Sequence, residues 1–575
     1  MKHPRAVAGG PTETLALLEP APSAEAPRHR TLVDALERAA REGVGSLRFD
    51  GREDSSPRGF AAVLEDAARW SRTLRARGVS RGDRVPLLMT TGPAFVGAFF
   101  GAQLAGAIPV PLAAPMTFGS VDRYFTNLAR VLRDADARVL VTTPRLRDAA
   151  REHPALRTLL RDVITEGDLV AAGPAHAAPS LGPDDTAFLQ YTSGTTGAPK
   201  GVMVSHRAAV ANAQAIAEGV DLRPDDVTVS WLPMFHDMGL IGVLLTAVCH
   251  PYEVHLMSPE AFVMRPERWL SLASEARATV TVAPNFAYDL CVSRASAEAA
   301  MRLESLRLAL NGSEPVLPAT AARFGARYAP QGYRPDAMLP VYGMAENTLA
   351  VTFSERGAGL RTLGIERAEV TAGKRVVLRE GSDSLRVVSV GRPVRGTRVA
   401  VCDPDDNVTV ERAVGEVWLS GTSMMDGYFR QDALNADTLR GGWMRTGDLG
   451  FVHAGELYVV GRAKDMIIKG GRNVYPYDIE RVAAEVPGVR PGGVAAFGRP
   501  NPTTGTDDVV VVAETVVRDE AERARIARQI RGEVLAAIGV RADDVLLWPA
   551  GAIPRTTSGK VQRGACARRC AEGRA

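Results

Sequence analysis

From about residue 83 onward the chain alternates short apolar runs with amphipathic stretches. Residues 84–89 predict a strand, 93–105 a helix, 108–112 a strand, 121–133 a helix and 138–142 a further strand. The apolar runs lack period-two alternation, so these strands are expected to be covered on both faces. Strand–helix–strand alternation of this kind implies a parallel sheet. The pattern resumes at 186–190, 227–232, 279–283 and 306–310. The apolar stretch 94–112 raises the question of a membrane span, but Gln103, Gly106, Pro109 and Pro111 fit a buried helix followed by a strand.

Three segments break the rhythm. Residues 1–30 carry Glu13, Glu19 and several prolines, which interrupt any apolar core of a signal peptide and predict a flexible leader. Residues 354–383, rich in Gly, Arg and Glu, predict an insertion on the surface of a large domain. After Gly461 the pattern becomes a smaller α+β one: a strand pair over 457–468, a helix near 478–485, strands at 493–497 and 508–514, and a charged helix over 519–536. The division expected is a leader (1–30), an N-terminal domain (31–461, with the insertion) and a C-terminal domain (462–575). A length of 575 residues agrees, because single cores stop growing well before that size.

Composition adds exclusions. Hydrophobic residues at 46% and charged residues at 23% are ordinary for a globular protein, and a net charge of +3 gives no polyanion-binding surface. The five cysteines have no metal-ligand spacing, and their odd number predicts reduced thiols and a cytoplasmic setting.

Five short motifs carry chemistry. Tyr191-Thr-Ser-Gly-Thr-Thr-Gly-Ala-Pro-Lys200-Gly follows a strand. Its glycines let backbone N–H groups converge on phosphate oxygens, its hydroxyls add donors, and Lys200 adds a point charge. The spacing is not that of a Walker A loop. Tyr342-Gly-Met-Ala-Glu346 offers an aromatic face for a base and a carboxylate for Mg²⁺. In Arg445-Thr-Gly-Asp448 a carboxylate after a turn suits ribose hydroxyls. Gly461-Arg-Ala-Lys-Asp465 falls at the expected domain junction, and Lys560 stands in the terminal Thr-Ser-Gly-Lys. Taken singly, most of these are ordinary turns.

In this order and at these separations they resemble the adenylate-forming superfamily of acyl-CoA synthetases, peptide-synthetase adenylation domains and luciferases. The resemblance implies an α/β fold: a large N-terminal domain of doubly wound sheets with a barrel-like part, plus a small mobile α+β C-terminal domain that rotates between half-reactions. It also implies roles. Thr192, Ser193, Gly194, Thr195, Thr196, Gly197 and Lys200 would cradle the ATP phosphates. Ser313 and Glu314 would line the adenine, with Tyr342, Gly343 and Met344 beside it. Thr192 and Glu346 would hold Mg²⁺, Asp448 the ribose, and Arg462 the ribose or a phosphate. Lys464 would be the hinge, and Lys560 would bridge the carboxylate and the α-phosphate. Attack of a carboxylate on a phosphate brings negative charges together, so such cations and aligned donors suit the chemistry.

Within the superfamily, Trp231-Leu-Pro-Met-Phe-His-Asp-Met-Gly, Met257-Ser-Pro-Glu-Ala-Phe262 and Ala283-Pro-Asn-Phe286 look like the fatty acyl-AMP ligases, which serve acyl carrier proteins of polyketide and lipopeptide assembly lines. The 354–383 segment stands where that branch has an insertion that hinders lid rotation and reaction with CoA. His236 would belong to the acyl and thiol passage. Two departures keep the acceptor open between CoA and a carrier-protein phosphopantetheine. Gly470-Gly471 resembles CoA-using relatives, and Val390 replaces a cysteine frequent in the branch. An acyl-CoA ligase, an enzyme of one half-reaction and a degenerate nucleotide-binding scaffold stay as alternatives. Met234, Phe286, Met344 and Leu349, as candidate pocket residues, predict a hydrophobic acid.

Overall fold

The computed structural model describes residues 5–6, 14–20, 28–51, 56–115, 121–170, 180–193, 199–294, 301–366, 373–381, 384–469, 472–501, 504, 506–556 and 559–573. Its central sheet runs in the order Ser46–Phe49, Glu253–Leu256, Val227–Ser230, Val280–Ala283, Leu308–Asn311, Met338–Gly343, all parallel. A second parallel sheet has the order Ile108–Leu112, Arg84–Leu88, Val139–Thr142, Asp162–Ile164. Strands such as Val139–Thr142 and Leu308–Asn311 are buried at every residue, as two-sided cover requires. Helix Pro93–Leu104 is buried along nearly its whole length and lies against Phe60–Ala76. A Cβ at Gly101 would stand 2.4 Å from that of Trp70, so the glycine permits the close approach. The apolar stretch is thus a core helix and a core strand, and among the described residues no helix is long and apolar enough to cross a membrane.

The barrel-like part is antiparallel. Thr397–Cys402, Gly415–Gly421, Trp443–His453, Glu456–Arg462 and Leu385–Pro393 pair in that order. Here the leader expectation needs correction. Leu17–Leu18 adds to this sheet by pairing with Thr397–Cys402, with Ala16 and Leu18 buried. An edge strand this short needs only one or two apolar side chains on its inner face, so the flanking glutamates do not prevent it.

The insertion also differs from a plain surface loop. Thr362–Ile365 pairs antiparallel with Leu385–Pro393, and Ile365 and Val376 are buried with Phe451, Tyr458 and Tyr475. Two apolar residues in an Arg- and Glu-rich segment suffice to anchor it.

The expected strand pair over 457–468 is split. Glu456–Arg462 completes the large antiparallel sheet, a 3₁₀ turn spans Ala463–Asp465, and Ile467–Lys469 pairs instead with Arg472–Val474. Beyond the turn, Val494–Asn501, Thr506–Thr515 and Asp544–Pro549 form a small mixed sheet. Helices Pro476–Ala484 and Glu520–Ile538 cover it through a hydrophobic cluster whose buried members all lie between Ile467 and Ala542.

Candidate active site

The charged residues gather beyond the C-terminal ends of the parallel strands, where the chain leaves the sheet and loops converge. Strands Thr186–Ser193 and Pro199–Ser205 form a hairpin with Lys200 opposite Thr192. Gly194, Thr195, Thr196 and Gly197 lie outside the described residues, and only the backbone of Ser193 is described. The Lys200 ammonium stands 5.2 Å from the centroid of the Tyr428 ring, a cation–π contact. Tyr428 sits on the short strand Gly427–Tyr428 that pairs with the hairpin, and its hydroxyl donates to Glu346 Oε1 at 2.9 Å. Burial, reinforced by Glu346, pushes the Tyr428 phenol well above its ordinary range, so it remains a donor. Glu346 lies in the turn Ala345–Asn347, and Thr348 after it has φ +62°. A β-branched residue there is strained; its hydroxyl, bonded to the Ser423 carbonyl at 2.7 Å, helps to hold it.

A second constellation joins strand ends. The Tyr342 hydroxyl donates to Asp448 Oδ2 at 2.6 Å, and Arg462 Nε meets Asp448 Oδ1 at 2.8 Å. Asp448 and Arg462 are register partners on adjacent strands, which fixes their distance. Asp448 is the main cause of the raised Arg462 pKa, so that guanidinium stays charged. On the opposite wall Ser313 has φ +71°, and Glu314 accepts the Phe286 N–H at 2.5 Å. Burial lifts the Glu314 carboxyl above the usual range, against the pull of that N–H and of Lys560.

His236 Nδ1 and Asp237 Oδ1 are 2.6 Å apart. Burial acts to raise the Asp237 pKa, but His236 and Lys560 outweigh it and hold the carboxylate ionised. Lys560 belongs to a tight turn, donating its N–H to Thr556 Oγ1 at 3.0 Å. Gly559 before it has φ +86° and lies against the Phe286 ring, where an added Cβ would come within 3.7 Å. That ring is backed by Trp231, which stacks on Phe262 at 3.9 Å, so three separated sequence motifs meet in one aromatic cluster. The Lys560 side chain is open to solvent within the cleft but walled by protein; desolvation lowers its pKa, against the attraction of Asp237 and Glu314. Lys464, in the turn Ala463–Asp465, is lowered likewise by desolvation and by Arg462.

Thr192, Lys200, His236, Ser313, Glu314, Tyr342, Gly343, Met344, Glu346, Asp448, Arg462, Lys464 and Lys560 all line one connected cleft of about 1870 Å³. That exceeds what a drug-sized ligand requires. Gly470 and Gly471 lie outside the described residues. Of the apolar candidates, Phe286, Met344 and Leu349 line the cleft, whereas Met234 is buried in the large core. Among the described residues no group of three or more His, Cys, Asp or Glu side chains is placed to hold a metal.

The AMP-binding enzyme family profile matches residues 39–429, more than half of the chain. The chain belongs to the AMP-binding enzyme family. This AMP-binding enzyme is 36% identical over 547 residues to the putative acyl-CoA synthetase of Caulobacter vibrioides, covering 93% of the chain and 94% of the relative. It is 34% identical over 583 residues to the medium-chain-fatty-acid–[acyl-carrier-protein] ligase JamA of Moorena producens, covering 95% and 96%. A structure from a study of fatty acyl-adenylate ligases of E. coli and L. pneumophila superposes with a TM-score of 0.89 at 32% identity, covering 96% and 99%. The resemblance drawn from the motifs therefore holds. Motif reading of this AMP-binding enzyme missed Asp237 and Tyr428. Asp237 carried a weak signal, an acid directly after His236; Tyr428 carried none.

Proposed function

We propose that this AMP-binding enzyme joins a hydrophobic carboxylic acid to ATP and passes the acyl group to a thiol, that of a carrier-protein phosphopantetheine in preference to CoA. In the first step a carboxylate oxygen attacks the α-phosphorus, its bond to the bridging oxygen breaks, and pyrophosphate leaves. In the second a thiolate attacks the acyl carbonyl and AMP leaves. The observation that carries the reading is the entry of Lys560, from the end of the chain, into the same cleft as the Tyr342–Asp448–Arg462 group.

Lys560 would lie between acid and phosphate, Lys200 and the loop after Thr192 at the outer phosphates, and Tyr342 with Ser313 at the base. Asp448 would accept the ribose hydroxyls. Mg²⁺ fits this donor set: it commonly uses one or two carboxylates and completes its shell with substrate phosphates and water. Glu346, whose Oε1 is already oriented by Tyr428, would be that carboxylate, with Thr192 nearby, and the ion would offset phosphate charge. His236, held by Asp237, would line the passage shared by acyl group and thiol. The residues after Lys464 would act as the lid, turning about that lysine. Free cysteines, four of them buried, support a reducing compartment such as the cytoplasm.

The preference for a carrier protein rests on the insertion. Ile365 and Val376 share a cluster with Tyr475, which lies beyond the turn at Ala463–Asp465, so through that cluster the insertion would grip the lid side of the proposed hinge. Product mass spectrometry with ATP, Mg²⁺, CoA and a pool of hydrophobic acids is expected to give acyl-AMP without acyl-CoA. Acyl-CoA as the main product would overturn the carrier-protein preference, and no adenylate with any acid would overturn the whole reading. Ile365→Ala is expected to raise acyl-CoA formed per acyl-AMP several-fold by loosening that grip. An unchanged ratio in the folded variant would remove the insertion from the account.

A further inference from the structure

The cleft does not end at the charged residues. From His236 and Asp237 the chain enters a π-helix, Met238–Leu245, and Met238, Gly242, Val243 and Thr246 follow one another along a wall of the same cleft. Such wide helical turns are rare and are often found at functional sites. The opposite wall is the central sheet. The charged groups lie beyond the C-terminal ends of its strands, whereas Thr228 and Val280 lie at the N-terminal ends, and Tyr252 directly precedes Glu253–Leu256. The cleft thus runs alongside the sheet in the strand direction, about 13 Å for four strand residues, before the loop beyond the strands is added.

The inner end is mostly aliphatic, with Ile216, Val220, Val243 and Val280 on it. The Thr246 hydroxyl is turned to the Ile241 carbonyl at 2.9 Å. Two residues that differ are Thr228 and Tyr252, hydroxyl-bearing and lining the cleft at 2% and 3% exposure. Each of these hydroxyls can both donate and accept a hydrogen bond. At the floor of an aliphatic channel such a pair adds nothing for a methyl terminus, yet it can bond a polar one.

Resting on the acyl-adenylate reading above, we propose that the channel holds the acyl chain and that Tyr252 and Thr228 form a reader for its far end. The favoured acids would bear a hydrogen-bonding group, such as a hydroxyl, on the terminal carbon. The carboxylate would stay with Lys560 while the far end of the acid is examined across the sheet. A site built to bond a polar group discriminates against an analogue lacking it, because the buried partner is left unsatisfied.

The test is acid-dependent pyrophosphate release, as kcat/KM, for alkanoic acids of increasing length and their ω-hydroxy counterparts. At the length that reaches the floor, the ω-hydroxy acid is expected to win by roughly tenfold, as for one buried hydrogen bond. Tyr252→Phe should bring that ratio close to unity, mainly through KM, and Thr228→Val provides the same test with an isosteric side chain. An absent preference in the native protein, or a ratio unmoved by both substitutions, would overturn the proposal.

Gly242→Val checks the path itself. A Cβ at Gly242 would come 3.1 Å from Leu349 Cδ2, narrowing the channel midway. The variant should accept short acids and reject long ones; a length profile equal to that of the native protein would place the acyl chain elsewhere and overturn the proposal. No release with any acid in the native protein would instead sink the acyl-adenylate reading on which it stands.

Discussion

The two walls of the charged cleft are built differently. On the large-domain wall the functional side chains are bonded to one another: Tyr342 and Arg462 to Asp448, Tyr428 to Glu346, and His236 to Asp237. These groups hold their orientation before any ligand arrives, and preorganised dipoles cost little reorganisation at the moment of reaction. The lid wall contributes Lys560 on a turn, attracted by Asp237 and Glu314 across the cleft while desolvation works against its charge. On the proposed function the difference separates binding from commitment: one wall would define where the nucleotide goes, and the other would decide whether the reaction proceeds.

The largest effect should come from the lid. Lys560→Ala is expected to lower acyl-adenylate formation by roughly 10²-fold or more, as for loss of a charge at a reacting centre, while nucleotide binding by the large-domain wall persists. Equal rates for variant and native protein would erase the contrast between the walls. The same lysine predicts an alkaline limit. Its protonated form is the useful one and its pKa is depressed, chiefly by desolvation. Adenylation should therefore decline as pH rises through a value below the usual lysine pKa of about 10.4, and Lys560→Arg should move that decline upward. The pH profile of single-turnover adenylation measures both.

A smaller loss is expected on the large-domain wall. Tyr428→Phe keeps the ring under Lys200 but removes the donor to Glu346. A hydrogen bond to a charged group contributes about 1.5–3 kcal/mol, so kcat/KM for ATP should fall by about tenfold or somewhat more, with a stronger dependence on Mg²⁺ concentration. A greater loss than that of Lys560→Ala would reverse the ranking of the two walls.

The residues of these walls differ in how legible they were in the sequence. The motifs around Lys200, Tyr342, Asp448, Arg462 and Lys560 are local strings, and those five residues line the cleft because each sits where a strand or turn ends at the same edge. The parallel sheets were legible for a similar reason: strands buried on both faces leave unbroken apolar runs. Tyr428 was hidden because its place depends on pairing with a distant hairpin and on Glu346, 82 positions away. The strand at Leu17–Leu18 and the anchoring of the insertion were hidden because each rests on only two apolar side chains in polar surroundings. The break at Ala463–Asp465 was blurred because apolar residues continue on both sides of it. Nothing local tells a strand that closes one sheet from a strand that opens another.

Two ion pairs of one arginine give the proposed lid a geometry of its own. The chain leaves the large sheet at Arg462 and travels through the whole small sheet, and three residues after Lys560 it returns to the turn, where Arg563 meets Asp465 at 3.1 Å and Glu480 at 2.6 Å. In terms of a lever, Lys560 is mounted close to the fulcrum and the strands of the small sheet form the long arm. Under the proposed hinge motion a given angle of swing would move the outer parts far and the lysine little, so coarse motion at the rim would become fine adjustment at the phosphate.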